Sequence, residues 1–263
     1  MIKVVVIDLD GTLLNQDHCI SLKSIETLRQ LHAKGIDIIL ATGRHYQDVY
    51  LLAQQLNIPV RLITSNGARV HSKEAKLIYE NHIPPKLVEQ ILSLSAGYEV
   101  HRNLYQQDLW LVEEPNKPLL NIHHSSGFAY RIINFRDINY QHIDKFYFNA
   151  SHQKLKPLYD KLITELGDQL YITFTTDIYL EIMNKGVSKG HALAKVLQQQ
   201  NIQPAQVMAF GDGLNDSDML KLVGHPVLMA NAHPDLKKQL PHAAQTTSNA
   251  EDGVANYIQK QLL

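Results

Sequence analysis

"VVVIDLDGTLL", residues 4–14, decides how this chain is read. Val4, Val5, Val6 and Ile7 form a continuous β-branched run, the pattern of a strand covered on both faces. The run then meets Asp8, a second carboxylate at Asp10, and a break at Gly11-Thr12. Carboxylates at the end of a buried strand cost free energy unless a cation or hydrogen bonds compensate them. If the extended pattern continued through Asp10, both side chains would share one face.

Outward from this stretch, strand and helix signals alternate. Ser21 is a helix N-cap, followed by apolar Leu22, Ile25, Leu28 and Leu31, and Gly35 stops the helix. "IDIILATG" (36–43) is a second buried strand, a helical stretch follows over about 45–56, and "PVRLITSNG" (59–67) is a third strand ending in turn residues. The rhythm returns with a helix over about 188–200, "VMAFGD" (207–212), a short helix near 216–222, "PVLMANA" (226–232) and a last helix from about 251. Strands separated by helices of this length predict βαβ units and a parallel sheet.

Residues 84–184 differ in character, holding 14 of the 19 aromatic residues. Alternating runs such as "DLWLVE", "DKFYFNA" and "IYLEIM" predict half-exposed antiparallel strands. Helices are expected near Pro84 and over about 151–166. The expected organisation is an α/β core of residues 1–83 and 185–263 carrying an inserted α+β domain, residues 84–184.

A formal net charge of −1 argues against nucleic acid or an anionic membrane surface as the main partner. The single cysteine, Cys19, forms no intrachain disulfide, which suits a reducing compartment. No stretch reaches the roughly 18 apolar residues of a membrane helix. The expectation is a cytoplasmic protein, a monomer or small homo-oligomer, acting on a small molecule.

Ligands of open parallel sheets gather beyond the carboxyl ends of the strands. There the sequence places Asp8 and Asp10, Thr42-Gly43, Ser65-Asn66-Gly67, and Gly211-Asp212-Gly213 followed by Asn215, Asp216 and Asp218. Lys189 opens the helix after the insertion, where backbone N–H groups favour an anion. Carboxylates, a hydroxyl and a lysine converging at one edge point to Mg²⁺ with a phosphoryl group. Asp8 and Asp212 are the expected side-chain ligands. An aspartate can attack phosphorus, and a neighbouring acid, Asp10, can protonate the departing alcohol and then activate water. The glycines fit neither a dinucleotide fingerprint nor a Walker loop. The 14 histidines show no metal-ligand spacing, and His123-His124 read as surface residues.

"DLDGTLL", "ATGR", "SNGARV", "GVSKGHAL" and "AFGDGLNDSDML", in this order, resemble the haloacid-dehalogenase-like (HAD) superfamily of phosphatases. The position of the insertion resembles the type-2 cap of the Cof-like branch, and "ATGRH", "ITSNGARVH" and "GVSKGHAL" are similar to a bacterial pyridoxal-phosphate phosphatase subgroup. The resemblance implies a Rossmann-like core with a cap that selects substrate. It implies Asp8 as nucleophile and Mg²⁺ ligand, and Asp10 as acid/base and ligand through its backbone carbonyl. Asp212 completes the metal ligation, with Asp216 ligating directly or from behind. Leu9 (through its N–H), Thr42, Gly43, Lys189 and Asn215 hold phosphate. The expected reaction is hydrolysis of small phosphomonoesters, pyridoxal phosphate or sugar phosphates, through an aspartyl-phosphate. The alternatives are a phosphomutase of the same superfamily or a non-enzymatic phospho-accepting receiver module.

Overall fold

The computed structural model describes residues 1–123 and 126–263. Elements follow in chain order: β1 (Val4–Ile7), α1 (Leu22–Ala33), β2 (Asp37–Ala41), α2 (Tyr46–Gln54), β3 (Arg61–Thr64), β4 (Arg69–His71) and β5 (Leu77–Glu80). The insertion contributes α3 (Pro85–Ser95), β6 (His101–Gln106), β7 (Leu109–Val112), α4 (Lys117–Ile122), β8 (Tyr130–Ile132), β9 (Ile143–Asn149), α5 (His152–Leu166), β10 (Leu170–Thr176) and β11 (Tyr179–Asn184). The chain closes with α6 (Lys189–Gln199), β12 (Val207–Gly211), α7 (Ser217–Leu222), β13 (His225–Leu228), α8 (Pro234–Gln239), β14 (Ala244–Gln245) and α9 (Gly253–Gln261).

Two compact units result. One comprises residues 1–44, 49–79 and 188–263, and the other residues 45–48 and 80–187. The first is built on an eight-stranded sheet in the order β14-β13-β12-β1-β2-β3-β4-β5. β1 pairs in parallel with both β2 and β12, and all four of its residues are buried. Its uniformly apolar sequence is what a central strand covered on both faces requires. β3 pairs β2 in parallel, whereas β4 returns antiparallel to β3.

Helix α1 is capped as its sequence predicts: the Ser21 side chain accepts from the Ser24 N–H at 3.0 Å. Ile25, Leu28 and Leu31 are buried, but Leu22 is 79% exposed and takes no part in the core. One core cluster gathers Val4, Val6, Ile39, Ile63, Leu193, Val207 and Met219 from strands and from α6 and α7. The carboxyl end of β1 is thereby fixed before any polar residue is placed.

The second unit carries a six-stranded sheet, β10-β11-β9-β6-β7-β8, antiparallel at each pairing except β7 with β8. Central strand β9 departs from the expected half-exposed alternation, since every residue but its last is buried. Phe146 and Phe148 pack in a core with Leu87, Ile91, Leu155 and Leu162 of α3 and α5. Tyr147 packs in a separate cluster with Tyr105, Trp110, Leu119 and Phe128. Alternate residues of β9 therefore enter two different buried clusters rather than facing inside and outside. No described helix is long and apolar enough to cross a membrane.

Candidate active site

The polar residues predicted at the strand ends lie in the first unit. Strand β1 ends at Ile7, and residues 9–13 form a wide, irregular turn, with the Leu13 N–H donating to the Asp8 carbonyl at 3.2 Å and the Leu14 N–H to the Leu9 carbonyl at 2.9 Å, instead of extending the strand. The expectation that Asp8 and Asp10 share a strand face is thus overturned. Gly11 is the cause: at φ +79 it takes a left-handed conformation, and a Cβ there would sit 2.3 Å from Asp212 Oδ2. The turn buries Asp8 (5% exposed), whereas the Asp10 side chain remains 46% exposed.

Lys189 is fully buried at the first position of α6. Its Nζ donates to Asp8 Oδ1 at 2.6 Å and to Asp216 Oδ1 at 2.7 Å. Asp216 Oδ2 accepts from the N–H groups of Asp212 (3.0 Å) and Gly213 (2.9 Å), so both Asp216 oxygens already have partners. Thr12 donates to Asp212 Oδ1 at 2.8 Å. One oxygen each of Asp8, Asp212 and Asp216 lie within 4.8 Å of one another.

With all three carboxylates ionised, one lysine would leave this cluster two charges negative. Burial, then the Asp216 charge, raises the Asp8 carboxyl well above the ordinary carboxylate range despite the opposing Lys189. Burial and Asp216 push Asp212 up to about 6, against the Thr12 hydrogen bond and Lys189. Burial alone would lower the Lys189 ammonium, but Asp216 and Asp8 outweigh it and raise the group above its usual value. An all-oxygen donor set, buried and short of positive charge, fits a hard divalent cation such as Mg²⁺. Asp8 and Asp212 are the carboxylates with oxygens left to offer it.

Thr42 and Asn215 approach through Asn66. The Asn66 N–H donates to the Thr42 carbonyl at 3.0 Å, and Asn215 Nδ2 donates to Asn66 Oδ1 at 3.0 Å. A Cβ on Gly43 would come within 2.9 Å of that same Asn66 oxygen. Leu9 is fully buried, and its carbonyl accepts from the Leu14 N–H at 2.9 Å. Asp218 is exposed on α7, apart from the cluster.

Three motif residues to which the sequence alone assigns no role are placed by the structure. Thr12 orients Asp212, and Asn66 ties Thr42 to Asn215. Buried Arg44 clasps the Asp10 carboxylate through Nε (2.7 Å) and Nη2 (2.6 Å). Position within "DGT", "ATGR" and "SNG" was the available signal.

The second unit corrects two readings about histidine. His123 is not a surface residue: it is buried, with Nδ1 2.9 Å from Asp48 Oδ2, and Ser126 Oγ donates to the other Asp48 oxygen. His124 lies outside the described residues. Histidines without ligand spacing in the sequence nonetheless meet in space, for Glu80, His82 and His142 each bring one ligand atom within 4.8 Å of the others.

Residues 5–258 match the profile of the haloacid dehalogenase-like hydrolases. The chain is 33% identical over 251 residues to the HMP-PP phosphatase of Cronobacter sakazakii, covering 95% of this chain and 92% of that one. A haloacid dehalogenase-like hydrolase from Bacteroides thetaiotaomicron superposes with a TM-score of 0.89 at 28% identity over 99% of both chains. Another from B. subtilis gives 0.87 at 30% identity over 100% of both.

Proposed function

This chain belongs to the haloacid dehalogenase-like hydrolases and is a phosphatase, and we propose that it hydrolyses small phosphomonoesters, pyridoxal phosphate or sugar phosphates, in a Mg²⁺-dependent reaction through an aspartyl-phosphate on Asp8. The observation that carries this reading is the buried Lys189 ammonium bridging Asp8 and Asp216 beside Asp212. Such a cluster is costly unless a cation and an anionic group complete it.

In the proposed reaction a carboxylate oxygen of Asp8 attacks phosphorus while the ester P–O bond breaks. Lys189, the Thr42 hydroxyl, the Asn215 amide and backbone N–H groups at Leu9 and Gly43 hold the phosphoryl oxygens. The leaving alkoxide takes a proton from Asp10. Asp10 then removes a proton from water, whose oxygen attacks phosphorus and releases Asp8. Because both Asp10 oxygens accept from Arg44, donation requires the carboxyl to rotate out of that clasp.

Mg²⁺ held by Asp8, Asp212 and the Asp10 carbonyl would neutralise charge developing on the phosphoryl group. Asp216, with both oxygens engaged, acts by positioning Lys189 and the Asp212 loop. Substrate choice would fall to the inserted unit. Tyr105, Trp110, Phe128 and Tyr147 are buried against one another there, so its exposed polar groups are the better candidates for contacting substrate.

The test uses the purified chain and a panel of phosphate esters containing pyridoxal phosphate, hexose phosphates and HMP-PP, the compound in the Cronobacter relative's name. Free phosphate release is expected in Mg²⁺ and none in excess EDTA. Asp8→Asn should abolish turnover of a generic aryl phosphate. Turnover preserved in that variant would sink the mechanism. Phosphate returned to a sugar instead of released would indicate a mutase.

A further inference from the structure

We propose that Glu80, His82 and His142 form a second metal site, distinct in chemistry from the carboxylate cluster and selective for Zn²⁺ or a similar borderline divalent cation. All three lie in the second unit, from "ENHIP" (80–84) and "YQHID" (140–144). Their convergence follows from one antiparallel bridge. Ile83 pairs with Ile143, its N–H donating to the Ile143 carbonyl at 2.8 Å, and both side chains are buried in the same core. The bridge sets His82 beside Asp144 and brings His142, one residue before Ile143, to the same place. His142 holds a left-handed backbone (φ 57), a conformation histidine tolerates better than most side chains.

His82 Nε2 lies 3.0 Å from Glu80 Oε2, and the His82 and His142 rings meet edge to face with centroids 5.1 Å apart. The three ligand atoms fall within 4.8 Å of one another. Tetrahedral Zn²⁺ with bonds of about 2.0–2.2 Å holds ligand atoms roughly 3.4 Å apart, so modest side-chain movement closes the site.

Two further features favour a metal. Asp144 is fully buried with Oδ1 2.9 Å from His82 Nδ1, the place of the carboxylate that commonly backs a ligating histidine. The His82 imidazole is itself only 17% exposed and lies between the two carboxylates, Nδ1 toward Asp144 and Nε2 toward Glu80. Two imidazoles and one carboxylate suit Zn²⁺, Co²⁺ or Ni²⁺ far better than Mg²⁺, and three protein ligands leave a fourth position for water. Bound there, the ion would fasten the chain entering at residues 80–84 to β9.

The experiment is equilibrium dialysis of the metal-stripped full chain against Zn²⁺ in saturating Mg²⁺, paired with Co²⁺ absorption spectroscopy and thermal unfolding. One Zn²⁺ per chain is expected, with intense visible Co²⁺ bands and a higher unfolding temperature on loading. His142→Ala and Glu80→Gln alter exposed side chains, so both variants should fold, and each should weaken Zn²⁺ binding at least tenfold. Asp144→Asn should weaken it by about 10–100-fold while leaving the three ligands in place. Wild-type uptake no greater than that of the His142→Ala/Glu80→Gln double variant overturns the proposal, leaving a His82 imidazolium to balance the carboxylates.

Discussion

Two lysines are buried among the described residues, and they keep different company. Lys189 in the first unit faces Asp8 and Asp216, with Asp212 alongside. Lys145 in the second unit pairs with Glu181 at 2.8 Å and lies over the rings of Tyr105 (5.1 Å) and Tyr147 (5.4 Å). In the second arrangement the ammonium faces a carboxylate, and the aromatic faces add to its stabilisation. The first is overloaded with negative charge. A buried ion pair needs its geometry to offset desolvation, whereas a buried excess of one sign has no internal remedy. Imbalance, more than burial, marks where a charged ligand belongs.

The comparison is broken most forcefully at Asp8. Asp8→Asn should cost on the order of 10⁴-fold or more in turnover if Asp8 is the nucleophile. In metal-free protein the same change relieves the excess charge, so its unfolding midpoint should equal or exceed that of wild type. A large loss of stability would mean that the three carboxylates are balanced after all.

At Lys145 the opposite pattern is expected. Lys145→Met strands the Glu181 carboxylate and should cost about 3–5 kcal/mol in denaturant unfolding. Adding Glu181→Leu should recover most of that loss, since no buried carboxylate is then left without the lysine. A double variant as unstable as the single one would assign this pair a role beyond mutual compensation.

The contrast also explains what was legible in the sequence. Asp8, Thr42, Asp212 and Lys189 each sit where a strand gives way to a loop or a helix begins, and that placement shows in local patterning. The apolar run of β1 predicts its burial between β2 and β12, and the α/β rhythm predicts the parallel sheet. Arg44 on Asp10 and Asn66 between Thr42 and Asn215 join separate loops, and such pairings have no local signature. His82 with His142, and Asp48 with His123, depend on contacts between residues 60 or more positions apart. β9 differs for another reason: polar and apolar residues alternate in its sequence as in a half-exposed strand, yet each of its faces has its own core. The turn at Gly11 was signalled by the glycine, but its effect of directing Asp8 and Asp10 apart required the backbone.

Thr12 offers a finer probe of the overloaded cluster. Its hydroxyl holds Asp212 Oδ1 at 2.8 Å, and Thr12→Val keeps the shape while deleting the donor. Groups standing behind a metal ligand commonly contribute about 10–100-fold to metal affinity. Titrating phosphatase activity with Mg²⁺ should show a rise of that order in the half-saturating concentration, with the rate at saturation changed less. An unchanged Mg²⁺ requirement would remove Asp212 from the proposed ligands.

The smallest effect tests whether imbalance matters without burial. Asp37 faces two cations, Lys73 at 2.5 Å and Arg61 at 3.2 Å, at a half-buried edge of the first unit. Burial there acts to raise the carboxyl, but the Lys73 and Arg61 hydrogen bonds and charges outweigh it and hold the group below its ordinary value. A carboxylate whose folded-state value is depressed stabilises the fold above its unfolded value of about 3.9, and that contribution fades as pH falls through the folded value. Partly exposed pairs contribute about 1 kcal/mol or less. Wild type should therefore exceed Asp37→Asn by that margin in urea unfolding at neutral pH, and the two should converge as pH drops below about 4. Here the two cations are only partly buried, with Arg61 17% and Lys73 23% exposed, so water shares in their solvation. A difference that survives at the acidic end would show that the Asp37 side chain contributes by packing, and would leave burial as the condition that gives imbalance its meaning at Lys189.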